Sequence, residues 1–246
     1  MKQYITSLLM LSFSFAITAE NYPSGKDILD RVDQNMNAKT RVVHSSMEIQ
    51  GNRGSRTLEV KTWSEGDSKA FSEYLAPARE KGTKMLKLDD QLWIYSPSAD
   101  RIIQISGHML RQSVMGSDLS YEDMMDDAAL LERYQAEVTG EEEIRERACW
   151  ILELTAIVPE VNYHKQILSI DQERYIPLQA DYYSKSDKLL KRISFDNAEQ
   201  IDGRWYPKTM LYKDMLKEGK GTLMNILSLE IDKTIPSTVF NKGNLR

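Results

Sequence analysis

From Val42 onward, apolar and polar positions alternate along much of the chain. Between Arg56 and Ser64, Leu58, Val60 and Thr62 oppose Thr57, Glu59 and Lys61. Between Ser68 and Leu75, Ala70, Ser72 and Tyr74 oppose Phe71, Glu73 and Leu75. A period of two puts successive side chains on opposite faces of a pleated strand, so both segments predict half-buried β-strands, and Val42 to Gln50 predicts another. Turn chemistry separates them, at Gly51 to Gly54 and at Glu65-Gly66-Asp67. After Ala76-Pro77-Ala78-Arg79-Glu80, the stretch from Lys81 supplies three more short strands. These are broken by an acidic turn at Asp89-Asp90 and by Ser96-Pro97-Ser98-Ala99-Asp100, and they end in the apolar run Ile102, Ile103 and Ile105.

There the strand pattern stops. Met109, Leu110, Val114, Met115 and Leu119 are spaced too loosely for a strand, and Gly116 to Met125 reads as a loop feeding a helix start. Ser120 has the features of an N-cap with Asp123 three residues on, Leu119 and Met124 can form a hydrophobic staple, and the helix is expected to continue through Ala128, Ala129 and Leu131. Strands resume at Cys149 to Ala156, Gln166 to Asp171, Leu178 to Tyr183, Lys188 to Asp196, Arg204 to Tyr212 and Thr222 to Ile231. Turns are expected at Thr139-Gly140, Ser184 to Asp187, Asp202-Gly203 and Glu218 to Gly221. The tail from Ser237 to Leu245 holds one expected helical turn around Val239 and Phe240.

Ahead of the strands, Ser24 can cap a helix with Asp27 at its third position. Ile28, Leu29, Val32 and Met36 then recur on one face until Asn35 to Thr40 ends it. So many consecutive strands without a βαβ rhythm argue against a doubly wound parallel sheet. Consecutive hairpins predict a single curved antiparallel sheet, closed as a barrel or open as a half-barrel, with amphipathic helices near residues 24 to 37 and 120 to 133 available to fill its concave face.

Composition bounds the domain count. The 246 residues are 41% hydrophobic, enough for one sizeable core. Lys2, the apolar run from Ile5 to Ile17, and Thr18-Ala19 predict a secretory signal peptide over residues 1–19, leaving residues 20–246 as one domain, soluble outside the cytoplasm. The formal charge of −5 becomes −6 once Lys2 is removed. An acidic chain without a basic cluster is a poor nucleic-acid binder, so that class is set aside. Cys149 is the single cysteine, which excludes an internal disulfide, and beside Trp150 it reads as a buried structural thiol.

Candidate chemistry is sparse. His44, His108 and His164 lack zinc-ligand spacing, Gly-x-Ser-x-Gly does not occur, and Gly219-Lys220-Gly221-Thr222 does not make a phosphate loop. Glu122, Asp123, Asp126 and Asp127 could pair for acid–base work or hold a divalent cation, but a solvated, capped helix start accounts for them more simply. No enzyme activity, cofactor or metal is expected. What remains is apolar capacity: ten methionines follow the signal segment, and Met109, Met115, Met124 and Met125 gather around the interruption. Methionine adapts to varied apolar shapes, so this cluster either caps a core or forms a movable lid over a lipid-sized cavity.

The segments Lys81-Gly82-Thr83, Trp93-Ile94-Tyr95-Ser96-Pro97, Gly203-Arg204-Trp205-Tyr206-Pro207 and above all Gly116-Ser117-Asp118-Leu119-Ser120-Tyr121-Glu122-Asp123-Met124 resemble the outer-membrane lipoprotein-sorting protein family of the LolA/LolB-like superfamily. The resemblance implies a mainly β fold with helices, in which a single curved antiparallel sheet forms an unclosed barrel covered by a helical lid. It also implies a periplasmic carrier of acyl chains, from a lipoprotein or a lipid, which receives cargo from an inner-membrane transporter of ABC or RND type and hands it to an outer-membrane acceptor, with only transient membrane contact. On that reading the sheet contributes Trp93, Tyr95, Ile103, Trp150 and Trp205 to the cavity, and the lid contributes Met109, Leu110, Val114, Met115, Leu119, Met124 and Met125. The competing class is a non-carrier periplasmic accessory or structural subunit of a membrane complex, with a closed core.

Overall fold

A computed structural model describes residues 22–51, 54–125 and 130–246. The expected signal segment lies outside them, as do Asp126, Asp127 and the predicted helical positions Ala128 and Ala129. The chain opens with α1 (Gly25–Met36), whose Ser24 cap accepts a hydrogen bond from the Asp27 amide at 3.1 Å, as its sequence predicts. Six strands follow: β1 (Thr40–Gly51), β2 (Gly54–Glu65), β3 (Lys69–Ala76), β4 (Lys84–Leu88), β5 (Gln91–Ser96) and β6 (Arg101–Ile105). The interruption holds two 3-10 turns, Gly107–Arg111 and Val114–Gly116, then the short helices α2 (Tyr121–Met125) and α3 (Leu130–Arg133). The second series is β7 (Tyr134–Ile144), β8 (Arg147–Ala156), β9 (Lys165–Asp171), β10 (Pro177–Tyr183), β11 (Leu189–Ile201), β12 (Arg204–Asp214) and β13 (Thr222–Ile231). Two 3-10 turns, Ser237–Phe240 and Lys242–Leu245, close the chain where one helical turn is expected.

All 13 strands form one antiparallel sheet in the order β6-β5-β4-β3-β2-β1-β13-β12-β11-β10-β9-β8-β7. The single non-sequential neighbour is β1 beside β13, which joins the two hairpin series at the centre and leaves β6 and β7 at the ends. Of these strands, β7 is the one that lies outside the segments expected from the sequence. It has one neighbour and one buried residue, Tyr134; Tyr134, Ala136 and Val138 do alternate with Gln135, Glu137 and Thr139, but Gly140 and three consecutive glutamates break the period after three apolar positions. The turn expected at Thr139-Gly140 is corrected with it. That pair lies inside β7 at a bulge, and the chain reverses at Arg145-Glu146, which both take positive φ (49° and 62°) between the paired residues Ile144 and Arg147. A two-residue reversal of this hand suits strand twist, but no glycine or asparagine advertises it.

The core divides by face and by half. Met47, Leu58, Tyr74 and Met85 pack with Val114, Leu119 and Tyr121 of the interruption. Ile28 and Leu29 of α1 pack with Leu152, Leu154, Leu168 and Ile193 in the second series. A third cluster places Phe71, Leu86 and Trp93 against Ile235, Phe240 and Leu245 of the C-terminal tail. Since Leu92 and Trp93 belong to different clusters, the alternation along β5 is the alternation between the interruption and the tail.

Helix α1 approaches the sheet closely at its first turn, where a Cβ on Gly25 would lie 2.5 Å from the Ala136 carbonyl oxygen. That neighbour is backbone and cannot move aside without disturbing β7. Gly25→Ala is therefore expected to destabilise the fold by about 1–3 kcal/mol in denaturant titration, whereas Lys26→Ala on the exposed side should stay within about 0.5 kcal/mol. Equal midpoints for the two variants would show that α1 does not seat on β7.

Candidate functional site

Between α1 and the interruption a cavity of about 530 Å³ lies against the centre of the sheet. Its apolar lining comes from Val43 of β1, Ile193 of β11, Met210 and Tyr212 of β12, and Met224, Ile226 and Leu229 of β13. Met36 of α1 and Leu119, Met124 and Leu130 of the interruption line it as well. Cross-strand register explains the grouping: Val43 pairs with Leu229, Ser45 with Ile226 and Met47 with Met224. A bulge between the Ile226 and Ser228 pairings resets the phase, so Leu229 stays on the cavity face and Leu227 is left 50% exposed. Arg41, Asp67 and Lys69 add charge to the lining. Burial pushes the phenol of Tyr212 up to about 12, aided by the nearby Asp123 charge, so it stays neutral here at ordinary pH.

Two acidic residues are prominent among the contacts that fasten the interruption to the rest of the fold. Asp123 receives hydrogen bonds at 2.7 Å from both the amide and the hydroxyl of Ser120, closing the predicted helix cap. The same carboxylate accepts from the Tyr163 hydroxyl at 2.5 Å and forms an ion pair with Lys191 of β11. The Asp123 and Lys191 side chains are only 14% and 7% exposed. Burial by itself would raise the Asp123 carboxyl, but the Lys191 charge and hydrogen bond, with those from Tyr163 and Ser120, together hold it below its ordinary value of 3.8. The Tyr163 hydroxyl moves the other way, raised first by burial and then by the Asp123 charge.

Asp118 accepts from the Asp214 amide at 3.0 Å and from the Thr222 hydroxyl at 2.8 Å, while its own amide donates to Thr222 Oγ1 at 3.0 Å. Asp118 and Thr222 are both buried. Met115 and Gly116 take positive φ (49° and 73°) to bring the chain round, and Arg56 donates to the Met115 carbonyl. A short closure from the Val114 amide to the Leu119 carbonyl, 2.8 Å, completes the loop. The acidic positions at 118 and 123, five residues apart, thus fasten the middle of the interruption.

The sequence-nominated residues separate into groups. Leu119 and Met124 line the cavity. Val114 is buried beneath the same segment, and Met109, Leu110, Met115 and Met125 pack around that cluster. Ile103, on end strand β6, is 45% exposed. Trp93 and Tyr95 lie in the cluster under the C-terminal tail, with the Lys242 ammonium 3.6 Å from the Trp93 ring centroid. Trp150 packs with the α1 cluster, against Tyr175, and Trp205 packs near Cys149 and Ile176 with Arg174 over its ring. Sequence reasoning missed Met36, Met210 and Met224 as lining and Lys191, Tyr163 and Thr222 as fasteners. Their strands were legible, but their partners stand tens of residues away. Asp123 was read as a solvated cap, and only the position of Lys191 shows it to be an ion-pair partner.

Among the described residues, no group of three or more His, Cys, Asp or Glu could hold a metal ion, and no helix is long and apolar enough to cross a membrane. No curated protein matches the chain. Solved structures do. A DUF1329 family protein from Desulfovibrio piger is 29% identical, over 90% of this chain and 98% of its own, with a TM-score of 0.82. A domain assigned to outer-membrane lipoprotein sorting, from Vibrio parahaemolyticus, is 24% identical over 90% and 97%, with a TM-score of 0.76. A LolA superfamily protein from Nitrosomonas europaea is 24% identical over 90% and 99%, with a TM-score of 0.73. A family model described as "-like: Uncharacterized protein" matches residues 66–246. The chain belongs to the family of that model, and its fold is that of the LolA-superfamily and lipoprotein-sorting-domain proteins.

Proposed function

We propose that the protein is a periplasmic carrier that shelters the acyl chains of a lipoprotein or lipid in the cavity beneath Leu119 and Met124, within an unclosed barrel lidded by residues 107–125 and 130–133. The observation that carries this reading is the 530 Å³ space itself, whose lining surface comes mostly from methionine, aliphatic and tyrosine side chains, with charge from Arg41, Asp67, Lys69, Asp123 and Lys191 and without a metal cluster among the described residues. Each methylene moved from water into such a space contributes about 0.8 kcal/mol, so a chain of ordinary length is retained without any covalent step. Met36, Met124, Met210 and Met224 surround the space with flexible side chains that can follow different chain shapes. Leu119 and Met124 sit on a segment tied to the sheet in part through polar contacts of Asp118 and Asp123, which can break and re-form as a cover that closes and releases requires. The fold shared with a lipoprotein-sorting domain supports the same reading. Exchange partners would be an inner-membrane ABC- or RND-type permease and an outer-membrane acceptor.

The test is direct. Protein purified without detergent is extracted with organic solvent for mass spectrometry, and the stripped protein is titrated with a fluorescent fatty acyl probe. Near-stoichiometric lipid and saturable probe binding are expected. Clean extracts together with absent probe binding would overturn the carrier reading in favour of a non-carrier accessory subunit.

A further inference from the structure

The loop joining β12 to β13 combines three properties that the carrier reading leaves unused. It exposes two consecutive apolar side chains, Met215 at 42% and Leu216 at 59%. Lysines surround them: Lys213, Lys217 and Lys220, with Lys185 and Lys188 in the neighbouring β10–β11 turn, which the Met215 amide approaches by donating to the Leu190 carbonyl at 2.9 Å. Of the loop's two acids, Asp214 is engaged by Lys217 at 3.2 Å and by the Leu216 amide at 3.0 Å while Glu218 is exposed, and Asp187 of the neighbouring turn pairs with Lys165 at 2.5 Å. Ile157, 59% exposed, follows β8 at the same end of the sheet. In a chain of net charge −5, an apolar tip flanked by five lysines against the three acids Asp187, Asp214 and Glu218 is a local reversal of sign.

The third property is mechanical. Lys217 donates to the Ser113 hydroxyl at 2.6 Å and to the Ser117 carbonyl at 2.9 Å, and the Asp214 amide donates to Asp118 at 3.0 Å. The exposed tip is therefore bonded to the segment that covers the cavity. Gly221 fixes the base of the loop, since a Cβ there would lie 2.5 Å from the Tyr212 carbonyl oxygen.

We propose that this loop is a bilayer-contact element: Met215 and Leu216 enter the interface of an anionic phospholipid surface, lipid phosphates draw Lys217 away from Ser113 and Ser117, and the cover over the cavity loosens. Apolar insertion beside lysines is the combination that binds anionic bilayers, each lysine near the surface contributing about fivefold in affinity. The proposal rests on the carrier reading for its purpose, because it confines opening to a membrane. It does not rest on that reading for its test.

The mature chain without added cargo is sedimented with vesicles of phosphatidylcholine alone or mixed with phosphatidylglycerol, and amide exchange of residues 113–120 is followed in parallel. Salt-sensitive sedimentation with the mixed vesicles alone is expected, weakened about tenfold or more by Met215→Ser with Leu216→Ser. Exchange at 113–120 should quicken on the mixed vesicles. In Lys217→Met it should be fast without vesicles and indifferent to them. An unchanged denaturation midpoint identifies each variant as folded. Absent sedimentation, sedimentation equal on both vesicle types or indifferent to the serine substitutions, or unchanged exchange at 113–120 would each overturn the proposal. Failure of acyl-probe binding would leave both readouts standing and sink only the carrier reading.

Discussion

Asp123→Asn is expected to destabilise the protein by about 3–5 kcal/mol and to accelerate amide exchange through residues 113–125, because it strands the Lys191 ammonium in a site where only 7% of its side chain meets solvent. Asparagine keeps the shape and part of the Ser120 cap, so the loss reports chiefly the missing charge. Pairing it with Lys191→Met should recover most of the stability, since a neutral pair in an apolar setting carries no desolvation penalty. A single variant as stable as the parent would show that the ion pair does not hold the segment. Acid should reproduce the effect. The folded carboxyl lies below its ordinary value, so its contribution is complete above the unfolded value near pH 4 and is lost as pH falls through the folded one. The buried Asp171, held low against burial by Arg147 and by the Glu173 and Arg174 amides, adds to the same acid limb. No loss from either group is expected between pH 5 and 8.

Ile226→Trp is the second large expectation, and it concerns binding. Ile226 lines the cavity from β13, so added volume meets open space. The indole should displace two or more methylenes of a bound chain, at about 0.8 kcal/mol each, weakening the acyl probe by about tenfold or more. Denaturation should change by less than about 1 kcal/mol, because a wide aromatic suits a strand and finds room. A solid interior would respond in the opposite manner, losing about 1–3 kcal/mol to overpacking. Unchanged binding in a folded variant would place the probe elsewhere.

The two expectations draw on residues of unequal visibility. Ser120 and Asp123 could be paired from their spacing alone, as capping is a local arrangement closed within one turn of helix. Lys191 could not be nominated, being 68 residues away and one lysine among many. Along β5, alternation separated Leu92 and Ile94 from Trp93 and Tyr95. It gave no sign of which pair would meet the cover. The C-terminal tail decided that by burying Trp93 beneath Phe240 and Leu245. The methionines show the same division: Met109, Met115, Met124 and Met125 were conspicuous through proximity in sequence, yet Met124 is the one of these four that lines the cavity. Met36, Met210 and Met224 join it from elements far apart in the chain.

Local physics was therefore enough to establish from the sequence the first helix and its Ser24 cap, most of the hairpins, the break after Ile105 and the capped helix start at Ser120. Periodicity, capping and turn chemistry act over a few residues and leave their mark there. The tertiary structure alone decided the pairing of β1 with β13, the bulge that turns Leu229 inward, the edge strand β7, and the fastening of Asp118 to Thr222 and Asp123 to Lys191. Each depends on residues brought together by sheet register across long stretches of chain, and register is a property of the assembled sheet rather than of any segment in it.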